Sequence, residues 1–338
     1  MVTVTTVRAD ERLYYPVDAV PCTPARHFAK GKGDPGFRTR LAIGADLAVR
    51  ARAAGFCFRA VVADSAYGDQ DGFRGELAEA GLPFVMALKP RRGTWAYGAD
   101  AYTPADAARA LAWGGPDDPG DWTAVERTFR DGHTETWWAA DATLGWWGPD
   151  GFTRLVVATA DPATLPPKAT WYLATNLPRP GGPRAAGSPH PAAPLAEIVR
   201  IYGIRHWVEQ GYKQARDELG WADFQVRSDL AIRRHQALVC CAFSFCWATW
   251  FAGHPPRDDD AAPQPDPGGG ERGARTRTRR TAPAAVLAQG APGRASLAFP
   301  VDRIAALVAG LVQGAPAPAA AGPDGLGRGR LRPAPVPP

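Results

Sequence analysis

Two acidic residues have neighbours that could give them chemistry. Glu209 lies in a stretch where Tyr202, Arg205, Glu209, Lys213 and Arg216 recur at helical spacing. On one continuous helix they form a stripe about 100° around from an apolar stripe of Ile198, Ile201, Ile204, Val208, Ala215 and Leu219. A lone carboxylate among cations can hold a metal while the cations meet phosphate oxygens. The same spacing also suits a solvated face on which Glu209 pairs with Arg205 or Lys213 four residues away. Asp64 is the second acid. It ends the apolar run at residues 58–63, and Ser65, Ala66, Tyr67, Gly68 and Asp69 lead on into a helical pattern over 71–80. Strand ends of this kind gather ligands and catalytic groups in α/β sheets. An aspartate there is equally at home in an Asx turn or as a helix cap.

The elements that must position these acids follow from patterning. Residues 2–7 and 13–20 are strand-like and separated by a polar turn, which predicts an antiparallel hairpin. Residues 37–55 have helical periodicity and end at Gly55, and 82–88 form another apolar strand closed by Lys89, Pro90, Arg91 and Arg92. Those cations suit a phosphate backbone or an ordinary basic turn. From 93 to 177 tryptophan and threonine are frequent, and β-like runs at 123–129, 135–139, 154–159 and 170–174 predict a mostly β insertion. Trp137, Trp138, Trp146 and Trp147 could stack on bases, although tryptophan in a small β module is more often core. A Pro/Gly-rich linker, 178–194, precedes the Glu209 helix, and 230–251 predicts a last core helix. Residues 253–338 are rich in Pro, Gly, Ala and Arg, a composition expected to stay disordered apart from an amphipathic stretch at 301–312.

Composition narrows the classes. In 338 residues, 45% hydrophobic and 22% charged content fits a globular chain, and the net charge of +5 permits a polyanionic partner without requiring one. Cysteines at 22, 57, 240, 241 and 246 show neither CxxC spacing nor a zinc pattern and fit reduced thiols in the cytoplasm. The N-terminus lacks a signal-peptide layout, and the most apolar run, 236–251, is short for a membrane span.

Tyr202, Arg205, Glu209 and Arg216, at intervals of three, four and seven, resemble the signature helix of bacterial insertion-sequence transposases of the DDE class. The family usually places lysine where Arg216 stands. The phrase VVADSAYGD around Asp64 resembles the second-acid motif of the same enzymes, an aspartate followed three residues later by Tyr67 and Gly68. The resemblance spans roughly residues 1–250. It implies an α/β fold, an RNase H-like mixed sheet with flanking helices interrupted by the β insertion. The core would then comprise 1–92 and 195–252, with the insertion at 93–177. It also implies Asp64 and Glu209 as catalytic metal ligands for two Mg²⁺ ions, replaceable by Mn²⁺, since hard cations take oxygen donors. Tyr202, Arg205, Arg216, Lys213 and Tyr67 would face double-stranded DNA, that is, transposon ends and target, and a homo-oligomer is compatible with the family.

One departure matters. Family members carry a first aspartate on a central strand preceding the hairpin, and here nothing precedes residues 2–7. Asp10, Asp18 and Asp46 have no motif around them. The expectation is therefore a transposase by descent that begins after its first acid, lacks the central strand and is inactive as written. Its competitors are a noncatalytic DNA-binding fragment that interferes with an intact transposase, a nuclease recruiting Asp10 or Asp18, a glycosidase using the two carboxylates, and a nonfunctional remnant.

Overall fold

The β-branched N-terminal runs pair as expected: β1 (Val2–Ala9) and β2 (Tyr14–Cys22) form an antiparallel hairpin, with a register shift between Thr6 and Val7. The computed structural model describes residues 2–9, 13–93, 101–129, 132–223 and 225–253. Asp10, the tail beyond residue 253 and its amphipathic stretch lie outside them. Helix α1 (Arg40–Ala53) is capped by the Thr39 side chain, which accepts from the Ala42 N–H, and sets Ile43 and Leu47 against Val4 and Val20 of the hairpin.

The chain then enters a six-stranded mixed sheet through β3 (Val61–Ala63). A single helical turn, α2 (Ser65–Gly68), leads to α3 (Asp71–Glu79) and β4 (Phe84–Ala87), which pairs parallel to β3. After α4 (Pro104–Arg109) come β5 (Thr123–Thr128), β6 (Thr134–Ala142), β7 (Arg154–Thr159) and β8 (Thr170–Thr175). The order is β3-β4-β8-β7-β6-β5, with β4 and β8 antiparallel. The β-like runs at 123–174 thus extend the sheet that carries Asp64, and its hydrogen bonding crosses the boundary drawn at residues 92 and 93. Phe84, Met86, Phe73 and Leu77 form one side of the β3–β4 end together with Ala45 and Ala48 of α1.

The stretch read as one Glu209 helix is two: α5 (Leu195–Gly203) and α6 (His206–Asp217). At the join, the N–H groups of Arg205, Trp207 and Val208 bond carbonyls three residues back, those of Tyr202, Ile204 and Arg205. The His206 ring donates through Nδ1 to the Gly203 carbonyl at 2.7 Å, taking up an acceptor that a continuous helix would use. The break has a packing cause. Ile198 and Ile201 of α5 lie on Val85, Val156 and Leu173 of the large sheet. Trp207 and Ala215 of α6 instead join Tyr14 and Val17 of the hairpin, where Tyr14 and Trp207 stack with centroids 4.8 Å apart. Helix α7 (Asp229–Gly253) completes that cluster with Val239 and Phe243, and Trp247 Nε1 donates to the Tyr14 carbonyl at 2.7 Å. Among the described residues no helix is long and apolar enough to cross a membrane.

Among the described residues the hairpin and the six-stranded sheet share no strand pairing, and β3 ends the order of the large sheet.

Helix α5 is aimed by Arg154, only 1% exposed. Its Nε and Nη2 donate to the two Asp141 oxygens at 2.9 and 3.0 Å, and its Nη1 donates to the carbonyls of Leu177 and Ala193 at 3.3 and 2.8 Å. One side chain therefore joins β6 and β7 to both ends of the loop that delivers α5. Arg154→Leu strands Asp141 and two carbonyls, so urea denaturation should show a loss of about 3 kcal/mol or more; a loss under about 1 kcal/mol would show that the network does not hold the loop.

Candidate active site

Asp64 directly follows β3 and opens α2 as its N-cap. Its Oδ1 accepts from the Ala66 N–H at 3.0 Å, and its carbonyl accepts from Tyr67 and Gly68. The cap occupies one carboxylate oxygen. The other, Oδ2, faces Arg205 at 3.8 Å, across the seam between the two sheets. Arg205 Nη1 is also 3.3 Å from Glu209 Oε1, one turn along α6. One guanidinium thus gathers both predicted acids, 145 residues apart in the chain. Asp64 caps a helix as one reading of its position expects, and Glu209 pairs with Arg205 four residues away, while Arg205 also reaches Asp64. Asp64 is 46% and Glu209 73% exposed, so both carboxylates are open to solvent.

Gly68 is required by the sheet beside it. A Cβ there would lie 1.9 Å from the Ala87 carbonyl oxygen, because α2 rests directly on β4. The Tyr-Gly pair after Asp64 therefore has separate jobs. Gly68 permits the close approach, and Tyr67 turns its ring onto Phe73, with centroids 5.2 Å apart. Burial raises the Tyr67 pKa, and nearby Tyr212 adds to this, with Asp64 a smaller contributor in the same direction. Tyr212, three residues after Glu209, has a partly exposed ring, but its hydroxyl turns inward to Thr5 of β1 and burial raises its pKa too. Sequence reasoning passed over Tyr212; its only signal was its place one turn beyond Glu209 on a helix already singled out.

The remaining predicted contacts divide. Tyr202, at the end of α5, packs edge-on against Trp171 at 4.9 Å and contributes to the core under that helix. Lys213 and Arg216 are exposed on α6. Arg216 Nε donates to Asp217 at 2.9 Å, and this bond raises the arginine's pKa and lowers the aspartate's. Lys89 and Arg92 are engaged internally: Lys89 faces Asp69, while Arg92 bonds Asp71 and lies over the Trp147 ring beside Arg74. Trp137 is buried, Trp138 packs against Trp113, and Trp146 is exposed.

Asp18, one candidate for a recruited acid, is held elsewhere. Its carboxylate meets Arg50 of α1 at 2.8 Å and accepts from the Ala19 N–H, while burial raises its pKa. Among the described residues no group of three or more His, Cys, Asp or Glu side chains could hold a metal. Two exposed carboxylates nevertheless suit Mg²⁺ or Mn²⁺, which commonly keep several waters beside one or two protein carboxylates.

A mixed α/β architecture thus brings Asp64, just after a strand, and Glu209, in the first turn of a helix, to one guanidinium. Residues 4–141 match the DDE superfamily endonuclease family. Over 191 residues the chain is 28% identical to a protein of Microchaete diplosiphon named "Probable transposase for insertion sequence element IS701". That alignment covers 56% of this chain and 42% of the relative, so the chain spans less than half the length of the protein it matches. Over residues 4–141 the chain is therefore similar to DDE superfamily endonucleases, and over the 191 aligned residues to an insertion-sequence transposase. The family match includes Asp64 and stops before Glu209, whose place rests on its motif and on the Arg205 contact.

Gly68→Ala should cost about 2 kcal/mol or more in urea denaturation, because the new methyl meets backbone that cannot swing aside. Gly75→Ala, inside α3 with open space at its Cβ, should instead gain about 0.5 kcal/mol. Equal effects would show that α2 does not rest on β4 as described.

Proposed function

We propose that this chain carries two carboxylates of a metal-dependent centre for DNA strand cleavage and transfer in DNA transposition. The observation that carries this reading is the meeting of Asp64 and Glu209 at one guanidinium. Nothing in local sequence brings these residues together; they meet because the chain turns off the large sheet between α5 and α6. Asp64 and Glu209 would hold the divalent ion, Mg²⁺ or Mn²⁺. The ion, when bound, supplies positive charge to a phosphodiester and lowers the pKa of an attacking hydroxyl.

The chain's own residues orient the substrate. Lys213 and Arg216 extend from Glu209 along α6 as an exposed cationic track of the right sign for double-stranded DNA, and Arg205 sits at its head. Tyr202 and Tyr67 support the site from beneath, Tyr202 by packing α5 on Trp171 and Tyr67 by packing on Phe73 beside Asp64.

The centre needs a further acid. A strand seated between β1 and β3 would pair with an edge of each and end near Asp64, where a third carboxylate belongs in a DDE centre. Without such a strand the chain would act as a DNA-binding fragment that competes with an intact transposase.

Cleavage of DNA bearing element ends, in Mg²⁺ or Mn²⁺, tests the proposal with two proteins: the chain alone and the chain preceded by in-frame residues encoded upstream at its locus. The extended protein should cut, and Asp64→Asn or Glu209→Gln should lower its rate by at least about tenfold, the lower end of what even groups supporting a metal's ligands cost. The chain alone should bind DNA in a salt-sensitive way and leave it intact. Cutting by the chain alone would show that its acids suffice; cutting by the extended protein that survives both substitutions would remove Asp64 and Glu209 from the centre.

A further inference from the structure

Arg205 has a position that a DNA contact alone does not require. Its side chain is only 24% exposed, and its guanidinium lies 3.8 Å from Asp64 and 3.3 Å from Glu209. It therefore occupies the place between the two carboxylates that a divalent cation would take. Arg205 is also the residue at which α5 gives way to α6, held by backbone bonds that tie its N–H to Tyr202 and its carbonyl to Val208. The guanidinium thus projects from a fixed point toward the seam, and only its side-chain torsions are free to move.

Resting on the metal-site reading above, we infer that Arg205 is an internal competitor for the divalent cation. In the absence of metal it neutralises Asp64 and Glu209 and keeps two like charges together across the seam. A cation entering between the carboxylates displaces the guanidinium, which then points outward at the head of the Lys213 and Arg216 track. The site is held together at the cost of metal affinity. Displacement links the two steps: an arginine engaged by carboxylates offers little to phosphate, whereas a released one offers a planar fork of donors.

Mn²⁺ binding, read by the loss of the free-ion signal in electron paramagnetic resonance, tests this without any cleavage assay. Compared with the unaltered chain, Arg205→Gln should bind Mn²⁺ about three- to tenfold more tightly, the scale of two partly exposed ion pairs. Arg205→Lys, which keeps the charge but lacks the fork that faces both acids, should fall between them. Arg40→Gln measures the effect of removing a charge nearby, since Arg40 is felt by Tyr67 in the same surroundings, and it should change the affinity less than twofold. Asp64→Asn should abolish the tight site in both backgrounds.

If the unaltered chain binds Mn²⁺ through Asp64 and Arg205→Gln leaves the affinity unchanged or weakens it, the competition is refuted and the metal reading stands. If Arg40→Gln tightens binding as much as Arg205→Gln, general charge rather than displacement is at work, and the inference again falls. If neither the chain nor Arg205→Gln holds Mn²⁺ in a way that Asp64→Asn removes, the metal reading falls and takes this inference with it.

Discussion

The turn at Ile204 and Arg205 is the constraint on which the site depends. A helix running straight from Leu195 would have to stay on one sheet. Here α5 buries Ile198 and Ile201 on the large sheet, and α6 buries Ala215 and stacks Trp207 on the hairpin. Two apolar surfaces compete for one stretch of chain, and a tight turn lets both be covered. The turn costs little in hydrogen bonding, because bonds three residues back and the His206 ring absorb the groups that the break frees. Its consequence is chemical: Arg205 and Glu209 come to the seam where β3 ends in Asp64.

The electrostatics of the seam follow from this placement. Asp64 is tied by its cap to the first turn of α2, and that turn is pressed onto β4 closely enough to require glycine at position 68. Glu209 is exposed, and Arg205 joins it to the capped acid. A capped acid on one side and a cationic bridge on the other are what the proposed ion and polyanion would meet. Arg154 works at longer range by fixing the loop from which α5 starts.

Much of this was legible in the residues. The hairpin, α1, α3 and β4 follow from β-branched runs and helical periodicity, and Asp64 and Glu209 stood out by their motifs. The helix break between α5 and α6 leaves no mark in the pattern, although Gly203 and His206 flank it, because periodicity continues through the turn almost in phase. Tyr202 was placed on the same stripe as Arg205 for that reason, whereas its ring sits against Trp171. The joining of β5–β8 to the Asp64 sheet was also out of reach. Strand runs show that a segment is extended but not which partner it takes, and β4 meets β8 across nearly ninety residues of chain. Gly68 was visible as part of a motif, yet its reason lies in the Ala87 carbonyl, which no local pattern reveals.

The central claim is that Asp64 and Glu209 face one shared site across the seam between the two sheets. Crystals of the chain grown with Mn²⁺, measured at the manganese absorption edge, test it most directly. The account predicts an anomalous peak at the seam within bonding distance of both carboxylates, with the Arg205 guanidinium moved out from between them. Manganese bound elsewhere, with Asp64 and Glu209 on surfaces that do not face each other, would contradict it.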